Sequence, residues 1–486
     1  MSRILCPYCC KRFEADEVHF RLKASVKKDN DILHDMREDE EISFRRRSAR
    51  SDMNGKSDGR ITDEYLLKYY NEFGAPSDSS NFERYSMQLP YIEFDRLNPA
   101  ITYDFAAFEE YGFINRIKVD GQILDERLCP YCHNRVVEGA GKQEMQMISV
   151  IGSTSAGKGV YLAILNKVFG EDKNLKASIF FKGNEDEEVY FNKNYNSLIR
   201  DNKRLNATNG LVPPVPFEVS FTDPATNEKR SVLIVFRDIM GESVQNLHDL
   251  GLSGKHIRES SGLLYLLDPC GFSYVEKNIT RRTYQGGMQA ESLTALKRYL
   301  TGDEYEELSS IPTAIVVAKS DIIKEMEFFN SDRYSWLVKD ESWRQRHPGF
   351  INSDVIEDGS DGVKEFLHSI SEDKYITNAA DTFKNHRFFM CSSLGYDPDG
   401  NTDSWTKIEP FNVTEPFYWL LFELGILPCR MTRVYTKKRK DELKEISILY
   451  YRTDSAARIE ERFNEQLRNQ GMTSIFPWDK WMNGEV

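Results

Sequence analysis

The stretch MISVIGSTSAGKGVYLAIL, residues 147 to 165, restricts the fold more than any other part of the chain. MISVIG is a short apolar run that reads as a buried strand, STSAGK is a loop of small residues, and GVYLAILNKVFG has helical apolar spacing closed by Gly170. Glycines at 152 and 157 let backbone amides approach an anion, the helix start adds its dipole, and Lys158 brings a positive charge. These are the parts of a phosphate-binding loop, GxxxxGK. Gly152, Ser153, Thr154, Ser155, Ala156, Gly157, Lys158 and Gly159 are its expected nucleotide contacts. Gly159 stands where such a loop ordinarily carries a serine or threonine that meets magnesium. Magnesium readily keeps a water in place of a protein oxygen, so the phosphate cradle survives while metal binding weakens. Ser153, Thr154 and Ser155 are the candidate substitute hydroxyls.

The strands that follow define the kind of sheet. FEVSF (217–221) and VLIVF (232–236) are apolar runs joined by the turn-rich TDPATNEKRS, too short for a parallel crossover, so they pair antiparallel. GLLYLLD (262–268), TAIVVAKSD (313–321) and HRFFMCSSLG (386–395) supply further strands, and EPFYWLLFELGIL, from Glu415 to Leu427, reads as a mostly buried closing helix. The expected fold class is α/β: a GTPase-type, mostly parallel sheet with one antiparallel strand, flanked by helices.

Polar residues sit where those strands end. In RDIMGES, Asp238 can hold a magnesium-bound water, the amide of Gly241 can meet a γ-phosphate, and Glu242 can orient or deprotonate an attacking water. AKSD is close to the guanine-reading pattern [NT]KxD: Asp321 would accept from N1 and N2 of guanine and the stem of Lys319 would cover the ring, with Ala318 in place of the usual Asn or Thr. Ser392 and Ser393 close the last strand beside the base. Thr208, in LNATNGLVPPVPFEV, is the candidate switch threonine, and Lys158, Thr208 and Glu242 form the candidate catalytic set. LGLSGKH (250–256) has the look of an ABC signature but follows the acidic strand, so a switch-region loop is expected there.

Two near-duplicates, CPYCCKRF and CPYCHNRV, mark a second feature. Cysteines two residues apart in a Pro-containing turn make half of a tetrahedral thiolate site, so Cys6, Cys9, Cys129 and Cys132 are the expected ligands of a closed structural zinc site, with Cys10 and His133 as spares. The pattern is similar to a zinc ribbon, and INRIKVDGQILDERLCPYC offers a hairpin around Asp120-Gly121 before the second knuckle. Between the knuckles lies a long insertion, about 11–128, expected to be loop and helix. Residues 27 to 60 read as a solvated loop, its Arg45, Arg46, Arg47 and Arg50 offset by acidic neighbours, and TDEYLLKYYNEFG (62–74) as a helix capped by Thr62.

The resulting division is a zinc-ribbon region over 1–142, a P-loop domain over 143–428 and a helical tail over 429–486. A formal net charge of −13 argues against a general polyanion-coating role, so nucleic-acid binding is not favoured. No run approaches the roughly 18 apolar residues of a membrane span, and MSRILCPYCCKRF lacks the apolar core of a signal peptide, so a cytoplasmic protein with no membrane association is expected.

Taken together, the knuckles, GSTSAGKGVYLAIL, NATNG with PFEVSF, VLIVFRDIMGES, AKSD and EPFYWLLFELGIL resemble the double-GTPase family of bacterial conflict systems, translation-factor-like P-loop GTPases often fused to a zinc ribbon. The resemblance covers the knuckles and roughly 143–428. It implies GTP or GDP, Mg2+ and Zn2+ as cofactors, a slow or partner-activated GTPase switch, and other subunits of an anti-phage defence system as partners. The substitutions at 159 and 318 leave two alternatives open: a non-catalytic scaffold, or a zinc-dependent protein that binds nucleic acid or another partner.

Overall fold

The computed structural model describes residues 3–21, 63–73, 91–93, 101–108, 111–119, 122–153, 155–171, 177–181, 212–223, 226–239, 247–278, 289–300, 310–324, 333–338, 350–395, 408–437 and 442–470, with isolated positions between them. The N-terminal part contributes β1 (Arg3–Leu5), β2 (Arg12–Glu14), β3 (His19–Arg21), α1 (Glu64–Phe73), β4 (Tyr91–Glu93), β5 (Ile101–Phe108), β6 (Tyr111–Val119), β7 (Gln122–Leu124) and β8 (Arg127–Leu128). The central part contributes β9 (Met145–Gly152), α2 (Lys158–Glu171), β10 (Ala177–Phe181), β11 (Val215–Thr222), β12 (Lys229–Asp238), α3 (Leu247–Arg258), β13 (Gly262–Leu267), α4 (Gln289–Leu300) and β14 (Thr313–Val317). The last part contributes β15 (Ile351–Asn352), α5 (Ser353–Ser369), α6 (Asp373–Thr382), β16 (His386–Met390), α7 (Glu415–Glu423), β17 (Cys429–Lys437), β18 (Glu442–Tyr450) and α8 (Ala456–Asn469).

The core is a seven-stranded sheet in the order β10-β11-β12-β9-β13-β14-β16. Strands β12, β9, β13, β14 and β16 pair in parallel, while β11 is antiparallel to both β12 and β10. Only β11 therefore runs against the rest, as the short 222–231 connection requires, and the expected fold class is the one observed. Residues along each strand alternate between two apolar layers. Leu264, Leu266, Ala314 and Val316 join the side that holds α2 and α7, whereas Leu263, Tyr265, Leu267, Ile315 and Val317 join the side that holds α4, α5 and α6. Burial on both faces explains why these strands read as continuous apolar runs rather than alternating ones. In α7 every residue from Pro416 to Phe422 is buried, so it is a core helix rather than an amphipathic one.

The N-terminal region shares a core with this sheet. Ile4, Phe13, Phe20, Leu66, Tyr69 and Ile117 cluster with Leu233 and Val235 of β12. The N-terminal segment also touches α3. His256 Nε2 donates to the Tyr8 carbonyl at 3.0 Å, Arg12 pairs with Glu259 at 3.0 Å, and Lys255 pairs with Glu72. The two ion pairs are exposed and contribute roughly 0–1 kcal/mol each, so the buried histidine and the shared apolar cluster carry this contact.

Four expectations need correction. The segment 250–256 is part of helix α3, not a loop; Ile257 is fully buried, and packing that side inward orders the turn. The described part of the insertion is mostly strand, in the sheets β4-β3-β8 and β5-β6-β7, besides α1. The hairpin expected before the second knuckle is among these strands, β6 pairing antiparallel with β7 through Val119 and Gln122. Helix α1 is capped by Asp63, whose Oδ1 accepts from the amides of Tyr65 and Leu66 at 3.1 Å; Thr62 and Gly74 lie outside the described residues. The C-terminal tail opens as the hairpin β17-β18 and only then turns helical as α8. Ile446 and Ile448, two apart, face Phe463 and Leu467 of α8, a period-2 pattern that belongs to a strand. Residues 27–60, with the Arg45 to Arg50 run, also lie outside the described residues.

Two buried histidines give the fold a pH dependence. Burial pushes His256 down to about 3, with the Arg237 charge acting the same way, and burial pushes His19 down to about 3, helped by neighbouring His133. Their folded-state pKa values lie below those of the unfolded chain, so the unfolded state takes up more protons, and stability falls as pH drops below about 6.5. Each histidine contributes up to about 1.4 kcal/mol per pH unit in that window. Urea unfolding of wild-type protein and His256→Gln between about pH 7 and about pH 5 should show a shallower slope for the variant, by about that one-histidine amount; equal slopes would contradict it.

Candidate functional site

Parallel pairing places the ends of β9, β12, β13, β14 and β16 along one edge. Asp238 pairs with Val150, Leu266 with Gly152, Leu267 with Val317, and Val317 with Met390. The residues that follow these ends therefore share one rim of the sheet, where ligands bind in open α/β folds.

The loop after β9 has the geometry its residue types require. A Cβ on Gly152 would lie 2.7 Å from the Leu266 carbonyl oxygen, and Gly157 sits at φ +87, the left-handed region. Ser155 also has positive φ, at 72. Helix α2 begins at Lys158, whose Nζ donates to the Gly152 carbonyl at 3.2 Å and lies 3.8 Å from Asp238 Oδ1. Gly159 follows in the first turn of α2 and Ala156 is buried. Burial pushes Asp238 above the usual carboxylate range, opposed by Lys158 and then Arg237. Among the described residues, Ser153 Oγ and Asp238 Oδ1 are buried without a hydrogen-bond partner, which leaves both able to meet a further polar ligand.

The second half of the site is the turn after β14. Lys319 adopts φ 47 and its Nζ meets Asp268 Oδ2 at 2.6 Å, while its Cε lies 3.9 Å from where a Cβ on Gly157 would be. The stem of the AKSD lysine thus passes the space that a side chain at Gly157 would take. Asp321 is buried and bonded to the Ser392 hydroxyl, which also accepts from the Gly395 amide at 2.8 Å. Burial raises Asp321 and the Ser392 hydrogen bond lowers it, with the upward effect prevailing. Ser393 is next in that turn. Gly395 is obligatory there, because φ is +86 and a Cβ would sit 1.9 Å from the Glu409 carbonyl oxygen.

Lys158, Asp238, Lys319, Asp321 and Ser392 are thus carried by adjacent strand ends. Thr154, Thr208, Gly241 and Glu242 lie outside the described residues. Asp268, Gln289 and Arg237 were not anticipated. Asp268 could have been read from sequence as a polar residue ending an apolar strand, as Asp238 does; Gln289 carried no local signal.

The cysteine clusters do converge. Sγ of Cys6 lies 3.7 Å from Sγ of Cys132, Sγ of Cys9 lies 3.8 Å from Sγ of Cys129, and all four sulfurs lie within 4.8 Å of one another. Sulfurs tetrahedrally placed about 2.3 Å from an ion are ~3.8 Å apart, so the cluster has the size of a closed metal site. Burial pushes the Cys6 and Cys132 thiols well up, so four thiolates would coexist here only around a cation. The two turns match hydrogen bond for hydrogen bond: Cys10 N to Cys6 O and His133 N to Cys129 O are both 2.9 Å, with φ 58 at Cys10 and 51 at His133. Neither spare residue joins the sulfurs. His133 Nδ1 donates to Asp63 at 2.8 Å, which leaves its Nε2 to accept from His19 Nδ1 at 2.8 Å, and Arg21 closes the group onto Asp63 at 2.9 Å.

No family model matches the chain. A curated protein from Mycolicibacterium smegmatis, described as a candidate ESX-1 scaffolding and assembly protein, SaeC, is 20% identical over 329 residues, 62% of this chain and 80% of the relative. Among solved structures, the S. cerevisiae Ski7 GTPase-like domain bound to GTP is 12% identical, covering 63% of this chain and 58% of that one, with a TM-score of 0.28. Sup35 complexed with GMPPNP is 10% identical over 52% of this chain and 39% of that one, at a TM-score of 0.21. A septin GTPase domain from Chlamydomonas reinhardtii is 13% identical over 37% and 54%, at 0.20. The chain thus spans well under two thirds of each of these structures, and the superpositions are too loose to carry weight beside the strand order itself.

Besides Gly395, the rim is intolerant at Gly152. Gly152→Ala drives a methyl against the Leu266 backbone, which no rotamer change relieves, and should destabilise the protein by about 1–3 kcal/mol. Thermal unfolding checks this; a variant that matches wild type contradicts the packing described.

Proposed function

We propose that this protein is a guanine-nucleotide-binding, GTPase-like switch, slow or dependent on a partner for turnover, with a structural zinc site. The observation that carries the proposal is the position of the AKSD lysine, whose Cε lies 3.9 Å from where a Cβ on the phosphate-loop Gly157 would be, on a rim that also brings Lys158 within 3.8 Å of Asp238. One ligand with phosphates at one end and a purine at the other would span these groups. Lys158 and loop amides from Gly152 to Gly159 would hold phosphates, and Asp321, Lys319, Ser392 and Ser393 would hold the base. Asp238, with its unpartnered buried oxygen, would hold magnesium through water, aided by Thr208. Magnesium, when bound, neutralises phosphate charge. Glu242 would position water and the amide of Gly241 would meet the γ-phosphate.

The biological setting, a subunit of a prokaryotic anti-phage defence system working with other protein subunits, rests on the motif resemblance alone. Gly159 and Ala318 favour a second reading, in which the core binds nucleotide without hydrolysing it and acts as a scaffold; the description of the SaeC relative as a scaffolding and assembly protein is compatible with it.

Calorimetry on purified protein should show GDP and GTP binding in preference to ADP and ATP, with Lys158→Ala abolishing it; equal or absent binding would overturn the proposal. Gly159→Ser should tighten magnesium-dependent GTP binding or speed turnover, and only the scaffold reading expects no hydrolysis at any magnesium level. Elemental analysis of the folded protein should find one zinc per chain, lost in Cys129→Ser along with thermal stability. A metal-free wild-type protein of undiminished stability would remove the zinc assignment.

A further inference from the structure

We infer that Asp268, held from behind by Gln289, is a positioning residue for the base-reading lysine, supplying a polar tether that Ala318 cannot. The inference rests on the guanine-nucleotide reading of the site and adds to it what fixes Lys319.

Strands β13 and β14 are parallel neighbours with Leu267 opposite Val317, and the Ala318 amide donates to the Leu267 carbonyl at 2.9 Å. The next residues, Asp268 and Lys319, are therefore brought side by side by the sheet. Asp268 is 1% exposed, and both its oxygens are engaged: Oδ2 with Lys319 Nζ at 2.6 Å and Oδ1 with the Cys270 amide at 3.0 Å. Its backbone is clamped too. The Gln289 amide accepts from Asp268 N at 2.6 Å and donates to Asp268 O at 2.7 Å, from the first residue of α4. A buried carboxylate fixed at both oxygens and both backbone groups cannot swing away from its lysine.

Lys319 needs such an anchor. It sits at φ 47, which is unfavourable for a residue with a Cβ, and a free lysine side chain samples many rotamers. Ala318 has no side-chain hydrogen-bonding group with which to add to its backbone bond to Leu267. The ion pair fixes the far end of the stem, which runs past the space a side chain at Gly157 would take and leaves the side chain 28% exposed, an apolar rail ready for a flat ring. Rigidity supplied before the ligand arrives raises affinity without a new contact. The pair also occupies the lysine ammonium, so the ring edge is left to Asp321, whose carboxyl oxygens suit a ring presenting two N–H donors.

The test uses full-length protein and calorimetry with GDP and ADP, with thermal unfolding of every variant. Asp268→Asn should weaken GDP by about tenfold, lower the GDP-to-ADP affinity ratio and be partly rescued by Asp268→Glu. In a Lys319→Met background, Asp268→Asn should cause no further loss, because it acts through the lysine. Gln289→Met, close in shape but without the two backbone hydrogen bonds, should give a smaller loss in the same direction and keeps the inference testable if Asp268→Asn fails to fold. Wild-type protein that shows no guanine preference overturns the reading of the site and the inference with it. If wild type prefers guanine, an unchanged GDP-to-ADP ratio in folded Asp268→Asn or in Gln289→Met, or additive losses in the double variant, overturns the inference alone.

Discussion

Parallel backbone pairing of β9 between β12 and β13 is the constraint on which everything else depends. Because the hydrogen bonds lock Asp238 beside Val150 and Leu266 beside Gly152, all the strands with chemistry at their ends point the same way. A charged group on one loop then has its partner on the next loop, not at the far edge of the sheet. The crowding is severe enough that a glycine is needed at 152, since any side chain would meet the neighbouring strand's backbone.

The cysteine cluster solves a different problem. It brings together knuckles about 120 residues apart, with four sulfurs spaced as a closed metal site requires. Its first knuckle is not free-standing: the Tyr8 carbonyl takes the His256 hydrogen bond from α3, the helix that follows the acidic strand end. Around the second knuckle, Asp63 both caps α1 and receives His133 and Arg21, so one buried carboxylate joins helix, strand and turn. Burial works to raise the Asp63 pKa, and the His133 and Arg21 contacts outweigh it and hold it below its ordinary range. The carboxylate is therefore charged wherever the fold is intact at neutral pH.

Much of this could be read from residue order. The strand, loop and helix around 147–165 were legible because each step leaves a local trace: apolar run, small residues, apolar spacing of three and four. The reversed strand β11 was legible because a connection of ten residues leaves room for nothing else. The CPYC duplication was legible because matching turns need matching residues, and the structure repeats even their hydrogen bonds. The tail was misread because charged residues recur through it as they would along a solvated helix, and the two-residue step of Ile446 and Ile448 is what betrays the strand. The LGLSGKH helix was misread because its glycines and serine signal a loop, a preference that packing of Ile257 overrides.

The sequence by itself determined which groups were available at strand ends, that one hairpin runs antiparallel, and that four cysteines belong to one site. Tertiary structure alone decided who pairs with whom: Lys319 with Asp268, the Asp268 backbone with Gln289, His133 with Asp63. The physical reason is range. Periodicity and turn chemistry are set by neighbours a few residues away, whereas these pairs join residues 51, 21 and 70 apart, and strand order brings the lysine pair together.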